Sequence, residues 1–327
     1  MFGITARRAA LALTACAATL ATAVPAHATT GYNAFAFDLS SSEPTIYNFI
    51  NSATKTLDMT MYELSDTTVV NDLIQRQQAG VQVRVILDGT RTTVNNSAYN
   101  ALNAAGIPVV WSSSAYTFTH QKTITVDGST SLILTGNLTA KYYSTSRDYG
   151  LFDTDANDVN AIEQVFNADF TSTSITPSDG DNLLWSPTDS RDRLLSIING
   201  ATTTLDVEEE EFGDPAVVDA IAAQAQKGVT VRVVLEHPSS YSSQISEVEN
   251  AGATVMGYSS STGFYVHAKA VVADYGLPTA AVELGSMNVS TNSLDNNREL
   301  GIILNDTGVE SVVENAFTSD YNGGTAA

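Results

Sequence analysis

His120-Gln121-Lys122-Thr123-Ile124-Thr125-Val126-Asp127 and His267-Ala268-Lys269-Ala270-Val271-Val272-Ala273-Asp274 are two copies of one pattern, H-x-K-x-x-x-x-D. Each is followed by a polar turn ending in asparagine, Thr135-Gly136-Asn137 in the first copy and Gly285-Ser286-Met287-Asn288 in the second. The chain holds four histidines, and two of them occupy equivalent places in this pattern.

Upstream of the motifs the chain repeats itself at an offset of 148 residues. Phe49-Ile50-Asn51-Ser52-Ala53 is answered by Ile197-Ile198-Asn199-Gly200-Ala201, and Thr56-Leu57-Asp58 by Thr204-Leu205-Asp206. Gly80 to Asp88 is answered by Gly228 to Glu236. The patterns predict a helix over Thr45 to Ala53, a strand over Thr56 to Tyr62, a helix over Thr67 to Gln78 stopped by Gly80, and a strand over Val81 to Asp88. A single repeat this long indicates a duplicated domain, since solenoid periods are much shorter. The Ser/Thr/Pro/Gly/Asp-rich stretch Thr171 to Asp181 reads as the seam. The expected architecture is α/β: a first half over 29–175 and a second over 176–327, each layered α/β/α with a largely parallel sheet. A pseudo-twofold between the halves would bring one motif from each to a shared cleft.

Residues 1–28 are excluded from that fold. Arg7 and Arg8 precede an apolar run from Ala9 to Val24, and Ala26-His27-Ala28 is an A-x-A cleavage site, so the segment reads as a secretory signal peptide and the protein as secreted. Leu13-Thr14-Ala15-Cys16 resembles a lipoprotein box, but the apolar run continues past Cys16 to the A-x-A site, which ranks anchoring at Cys16 second. Cleavage after Ala28 removes the one cysteine and with it disulfide, thiol-nucleophile and thiolate-metal chemistry. It also removes two of 15 basic residues against 36 acidic ones, a mature formal charge of 13 − 36 = −23. Such a surface disfavours nucleic acid, whose binders need a basic footprint. It disfavours strongly anionic membranes too.

On a strand, residues two apart share a side, so His120 projects with Lys122 and His267 with Lys269. Two imidazoles and two ammonium groups facing one another suit a phosphate. The lysines supply charge to its oxygens, and Asn137, Asn288, Ser286 and Thr135 can add neutral donors. One histidine can attack phosphorus while the other protonates the leaving alkoxide and then activates water. The offset of 151 that aligns Asn137 with Asn288 also carries Asp148 onto Glu299, so these matched carboxylates are assigned to orienting the histidines.

The duplicated motif with its downstream turn resembles that of the phospholipase D superfamily, H-x-K-x4-D followed by G-[GS]-x-N, over essentially the whole mature chain. The second copy is complete; in the first, Leu134 stands where the glycine is expected. The resemblance implies catalytic motifs made of His120, Lys122 and Asp127 and of His267, Lys269 and Asp274. His120 would be the nucleophile and His267 the general acid, with Asp127 and Asp274 as structural partners. It implies no metal and no other cofactor. The expected function is a secreted phospholipase D that hydrolyses a glycerophospholipid, such as phosphatidylcholine, at a membrane or micelle surface. Transphosphatidylation is possible through the same phosphohistidine. A secreted endonuclease and a cardiolipin-synthase-like transferase are the alternatives. One chain carries both motifs, so a monomer suffices.

Three features stand outside this scheme. His237, before Pro238, lacks the motif and reads as a loop residue. Glu208-Glu209-Glu210-Glu211 reads as a solvated charged edge, or, if alternate glutamates face the cleft, as a site for Ca²⁺ or a cationic headgroup. Trp111, Tyr116, Phe118, Phe264 and Tyr265 read as core or as a lipid-facing rim.

Overall fold

The computed structural model describes residues 31–38 and 42–327, so the expected signal peptide and Cys16 lie outside the described residues. In chain order the first half contains β1 (Tyr32–Ala36), α1 (Ser42–Asn51), β2 (Thr56–Met61), α2 (Thr67–Gln78), β3 (Gln82–Leu87), α3 (Thr92–Ala104), β4 (Val109–Trp111), β5 (Thr123–Val126), β6 (Thr130–Leu134), β7 (Ser146–Arg147), β8 (Tyr149–Asp153) and α4 (Ala156–Phe170). The second half contains β9 (Leu183–Ser186), α5 (Ser190–Gly200), β10 (Thr204–Glu209), α6 (Pro215–Gln226), β11 (Thr230–Glu236), α7 (Ser242–Ala251), β12 (Thr254–Tyr258), β13 (Tyr265–Val266), β14 (Lys269–Ala273), β15 (Ala281–Gly285), α8 (Thr291–Asp295), β16 (Glu299–Leu304), α9 (Thr307–Gly323) and β17 (Thr325–Ala326). Residues 171–182, between α4 and β9, carry no helix or strand.

Local chemistry sets the boundaries alike in both halves. Asp66 caps α2 by accepting from the amides of Thr68 and Val69, and Asp214 caps α6, which has Pro215 in its first turn. The two helices end at Gly80 and Gly228, whose φ values of 96° and 92° lie where a side chain would be strained. The inward faces of β2 and β10 carry matched ion pairs, Arg84 Nε with Asp58 at 2.7 Å and Arg232 Nε with Asp206 at 2.7 Å.

The first sheet runs β1-β8-β6-β5-β2-β3-β4 and the second, read from the same side of the repeat, β9-β16-β15-β14-β10-β11-β12, with β17 added at its edge. The order is therefore duplicated. The expectation of a largely parallel sheet is corrected: within these two sheets only β2-β3-β4 and β10-β11-β12 are parallel and the other neighbours are antiparallel, while β13 and β7 form a separate parallel pair. The reason is that helices α2 and α6 make the parallel crossovers, whereas β5-β6 and β14-β15 follow each other through short turns, which can join only antiparallel strands.

Three apolar cores result. Helices α1 to α3 bury Ile46, Ile50, Leu73 and Leu102 against Leu57, Met59 and Val85 of the first sheet. Helices α5 to α7 do the same in the second half, with Leu194, Ile198, Ile221 and Val248 against Leu205, Val207 and Val233. The third core lies between the sheets, where Ile162 and Val165 of α4 and Val313 and Phe317 of α9 meet Ile133, Leu151, Val272 and Ile302. Burying two sheet faces against this shared layer fixes one half on the other.

Candidate active site

The motif histidines sit just before β5 and β14, and each is tied to the opposite half. His120 and Gln121 donate their amides to the carbonyl of Arg298, and His267 donates its amide to the carbonyl of Arg147. β13, leading to His267, pairs with β7, and Thr119 bridges to Arg298. A carboxylate at the end of the neighbouring parallel strand holds each approach: Asp88 accepts the Thr119 amide at 2.6 Å, and Glu236 the Val266 amide at 2.9 Å. Arg147 and Arg298 turn away from the site, pairing with Asp320 at 2.5 Å and Asp169 at 2.9 Å.

The side chains are exchanged in the same way. His120 Nδ1 lies 2.8 Å from Glu299 Oε2 and 3.0 Å from the Ser286 carbonyl. A carbonyl can only accept, so Nδ1 carries the hydrogen and Nε2 is left for the ligand. His267 Nδ1 lies 2.8 Å from Asp148 Oδ1. The carboxylates are themselves fixed. Asp148 accepts from Thr135 Oγ1 at 2.8 Å and Ser146 Oγ at 2.7 Å, and Glu299 accepts from Asn297 Nδ2 at 2.8 Å and from Ser293 Oγ.

Lys122 and Lys269 are buried, and each Nζ donates to the carbonyl of its own motif histidine at 2.6 Å. Burial and the neighbouring Lys269 charge pull the Lys122 ammonium down to about 7. Burial, opposed by Glu299 and reinforced by both lysines, lowers His120. Asp148 and Glu299 are also buried, which raises a carboxyl, but the charge and hydrogen bond of the partner histidine hold each below its ordinary value.

His120, Asn137, His267 and Asn288 line one cavity of about 740 Å³. Asn137 and Asn288 each present a buried Oδ1 with no hydrogen-bond partner among the described residues. Tyr62, Phe118, Phe264 and Tyr265 supply aromatic wall. Trp111 is instead stacked on Tyr99 at 4.3 Å, and Tyr116 lies against Arg298, so neither belongs to a rim.

Several expected site residues stand elsewhere. Thr135 and Ser286, expected as phosphate donors, are buried and do not line the cavity, Thr135 bonding Asp148 and the Tyr149 amide, Ser286 bonding the Leu300 backbone. Each shapes its turn from behind. The turns agree despite Leu134, since Thr135 and Ser286 donate to the carbonyls of Tyr149 and Leu300 at 3.0 Å alike. Asp127 and Asp274 lie at the far ends of β5 and β14 and do not line the cavity. Asp127 accepts the amides of Thr54, Lys55 and Thr56, and Asp274 those of Thr202, Thr203 and Thr204, which closes the turns into β2 and β10.

The acidic run is not a solvated edge. Glu208 and Glu209 are buried on opposite faces of β10, and Tyr149 donates to Glu208 at 2.5 Å. Glu210 and Glu211 line the cavity. Glu210 accepts from Lys269 Nζ at 2.8 Å and from Tyr265 Oη, and lies 3.5 Å from His267 Nε2. Burial opposes ionisation of Glu210, yet the charges of Lys269 and His267 keep its carboxyl far below the usual range. Among the described residues, no group of three His, Cys, Asp or Glu side chains is arranged to hold a metal ion. Glu210 and Glu211 face the cleft, as the second reading of the acidic run expects of some of its glutamates, whereas sequence reasoning missed Asp88 and Glu236 as site residues. The matched acids closing β3 and β11 at the 148-residue offset were the available signal for these two. His237, read as a loop residue, follows β11 and lines the outer cavity.

No curated protein sequence matches the chain. Among solved structures it is similar to the polyphosphate kinase of Porphyromonas gingivalis, at 14% identity and a TM-score of 0.69, over 88% of this chain but 46% of that one. It thus spans about half the length of that kinase. It is also similar to the phosphatidylserine synthase of Haemophilus influenzae Rd KW20, at 13% identity and a TM-score of 0.67, over 86% of this chain and 83% of that one. These likenesses are of fold. The family profile described as "Cardiolipin synthase, PLD-like domain" matches twice, over residues 46–170 and 194–321, once in each half. With both halves matched and both motifs facing one cavity, the chain belongs to this PLD-like domain family, within the phospholipase D superfamily.

Proposed function

We propose that the protein is a phosphodiesterase of the phospholipase D type that cleaves glycerophospholipids through a phosphohistidine, acting outside the cell as a single chain at a lipid surface. The observation that carries this reading is the crossed arrangement in which each histidine, fixed at Nδ1 by a carboxylate of the other half, lines the same cavity.

His120 is the nucleophile in this reading. Its Nδ1–H is committed to Glu299 and the Ser286 carbonyl, and its lowered basicity keeps Nε2 unprotonated at neutral pH. His267 is the general acid, because a second carboxylate, Glu210, stands 3.5 Å from its Nε2 and suits a hydrogen there. Nε2 of His120 attacks phosphorus, and the bond from phosphorus to the alcohol oxygen breaks as His267 gives its Nε2 proton to that oxygen. Lys122, Lys269, Asn137 and Asn288 balance the charge gathering on the non-bridging oxygens. A water molecule then loses a proton to His267 and attacks phosphorus, and the phosphorus–nitrogen bond breaks. His120 is regenerated and phosphatidate released.

A second reading differs only in the acceptor. An alcohol in place of water gives phosphatidyl transfer, and the cardiolipin synthase description of the matching profile favours it. Net charge of −21 over the full sequence weighs against a polyanionic nucleic-acid substrate. The deciding experiment incubates the protein with phosphatidylcholine vesicles, with and without glycerol, and separately with plasmid DNA, beside His120→Ala. Phosphatidate release lost in the variant supports hydrolysis, a new phosphatidyl ester supports transfer, and strand scission alone overturns the lipid reading.

A further inference from the structure

The two sides of the cavity share their histidine, lysine and asparagine, but the residue beside each histidine differs. At the end of β2 the first half carries Tyr62, and 148 residues later, at the end of β10, the second half carries Glu210. The Tyr62 ring lies 5.1 Å from Lys122 Nζ and packs edge-on against His120 at 4.6 Å. A phenol ring therefore stands beside Lys122 Nζ and His120 where the other half has a carboxylate, and the anion that His120 does hold, Glu299, is on its Nδ1 side. Glu210 bonds Lys269 Nζ at 2.8 Å and lies 3.5 Å from His267 Nε2. Its carboxylate thus already holds the ammonium that a phosphate would need on that side. Independently, Asn288, 6% exposed, opens onto the same cavity with an unpartnered Oδ1.

We propose that Glu210 is a specificity-determining residue, which favours phosphodiesters whose leaving alcohol bears a cation close to the ester oxygen and disfavours simple phosphate anions. The proposal rests on the reading of the cavity as a phosphodiester site. A bare phosphate reaching Lys269 must displace an ionised carboxylate that stays nearby without a partner. An ammonium two carbons from the ester oxygen gives the displaced carboxylate a new partner, so displacement and binding occur together. Because Glu210 stands beside His267, which protonates the departing oxygen, the alcohol rather than the lipid portion meets the acid. The surroundings agree. Glu236 and Glu211 line the same cavity, as do the aromatic side chains of Tyr241 and Tyr265. Arg91, across the cavity, is already paired with Glu63.

The test compares binding of phosphocholine and glycerol phosphate, two phosphate monoesters whose alcohols carry a quaternary ammonium in one case and two hydroxyls in the other, to the wild type, Glu210→Gln and Glu210→Tyr. Calorimetry at one pH gives the affinities, and a melting curve confirms that each variant is folded. Glu210→Tyr reproduces the first half's side chain and guards against failure of the amide variant. The expected result is a preference for phosphocholine of at least tenfold in the wild type, reduced to within about twofold in both variants, with glycerol phosphate bound tighter than before. Equal affinities in the wild type, or a preference that survives in both variants, overturns the role of Glu210 while leaving the phosphate site standing. Folded proteins that bind neither ligand overturn the phosphodiester reading as well.

Discussion

Asp148→Asn and Glu299→Gln should slow the same reaction in ways that a change of leaving group separates. Asp148 holds His267 at 2.8 Å and is itself held by Thr135 and Ser146, so an asparagine fits the space but removes the negative charge beside the imidazolium. Two unit charges about 4 Å apart at an effective dielectric constant near 20 interact by about 4 kcal/mol. Allowing for the hydrogen bond an amide oxygen can still accept, about 3 kcal/mol of stabilisation of protonated His267 is lost, or roughly a hundredfold in rate. That loss applies only where the departing oxygen needs a proton. For an alkyl diester, kcat/KM of Asp148→Asn should fall about a hundredfold. For a p-nitrophenyl diester, whose phenolate leaves unaided, the defect should shrink below about tenfold. Glu299→Gln weakens the attack by His120, a step common to both esters, and should slow both by the same factor. Steady-state kcat/KM reports through the first irreversible step and isolates bond cleavage from the later hydrolysis. Equal defects of Asp148→Asn on the two esters would refute the argument, and a leaving-group dependence confined to Glu299→Gln would exchange the two histidine roles.

The lowered Lys122 ammonium predicts that a phosphodiester competitive inhibitor, whose own charge is constant, binds about tenfold more weakly as pH rises from about 6 to about 8.5, because the lysine sheds its proton near 7. An inhibition constant flat across that window would exclude Lys122 as a charge partner. Asp127→Ala and Asp274→Ala remove acceptors for three amides each, at φ values of 55° that alanine tolerates poorly, and should cost about 2–3 kcal/mol in urea unfolding. Both folded-state carboxyls are lowered to about 2, by hydrogen bonds that outweigh burial, from an unfolded 3.8. Their contribution is therefore present above about pH 4 and lost as pH falls toward 2, a dependence the alanine variants should lack. Gly136→Ala would put a methyl 2.7 Å from Asp148 Cγ, so activity should fall about tenfold or more with a lowered melting temperature, whereas unchanged activity would show that the Asp148–His267 contact is not rate-determining.

Duplicated order, strand and helix positions and the motif histidines were legible in the sequence because each rests on local pattern. α2 was read at its observed bounds, Thr67–Gln78, since both of its ends carry their own chemistry in Asp66 and Gly80. Direction and burial across the sheet were less legible. Thr135, Ser286 and Asn137 look like equivalent polar turn residues in one dimension, and only the pleat decides which of them faces the cavity and which braces the carboxylate behind it. The acidic run fails for a related reason: charge runs are usually solvated, but β10 is covered on both faces, so consecutive glutamates are sent to three different environments.

The pairing of histidine with carboxylate could not be assigned from either repeat, because each pair is formed by two halves. His120 with Glu299 and His267 with Asp148 are separated by 179 and 119 residues, and the exchange follows from the docking of the segment before each histidine on the segment before the other half's carboxylate. Such an arrangement makes the two imidazoles alike at Nδ1 and leaves Nε2 as the place where they can diverge. Divergence there needs one substitution, and the chain has it: Tyr62 beside one histidine and Glu210 beside the other. A ring over Lys122 leaves His120 Nε2 without an anion to hold a proton, while a carboxylate at 3.5 Å gives His267 Nε2 a reason to keep one. An attacking base and a proton donor can thus arise from one duplicated motif, by changing a residue that lies outside it.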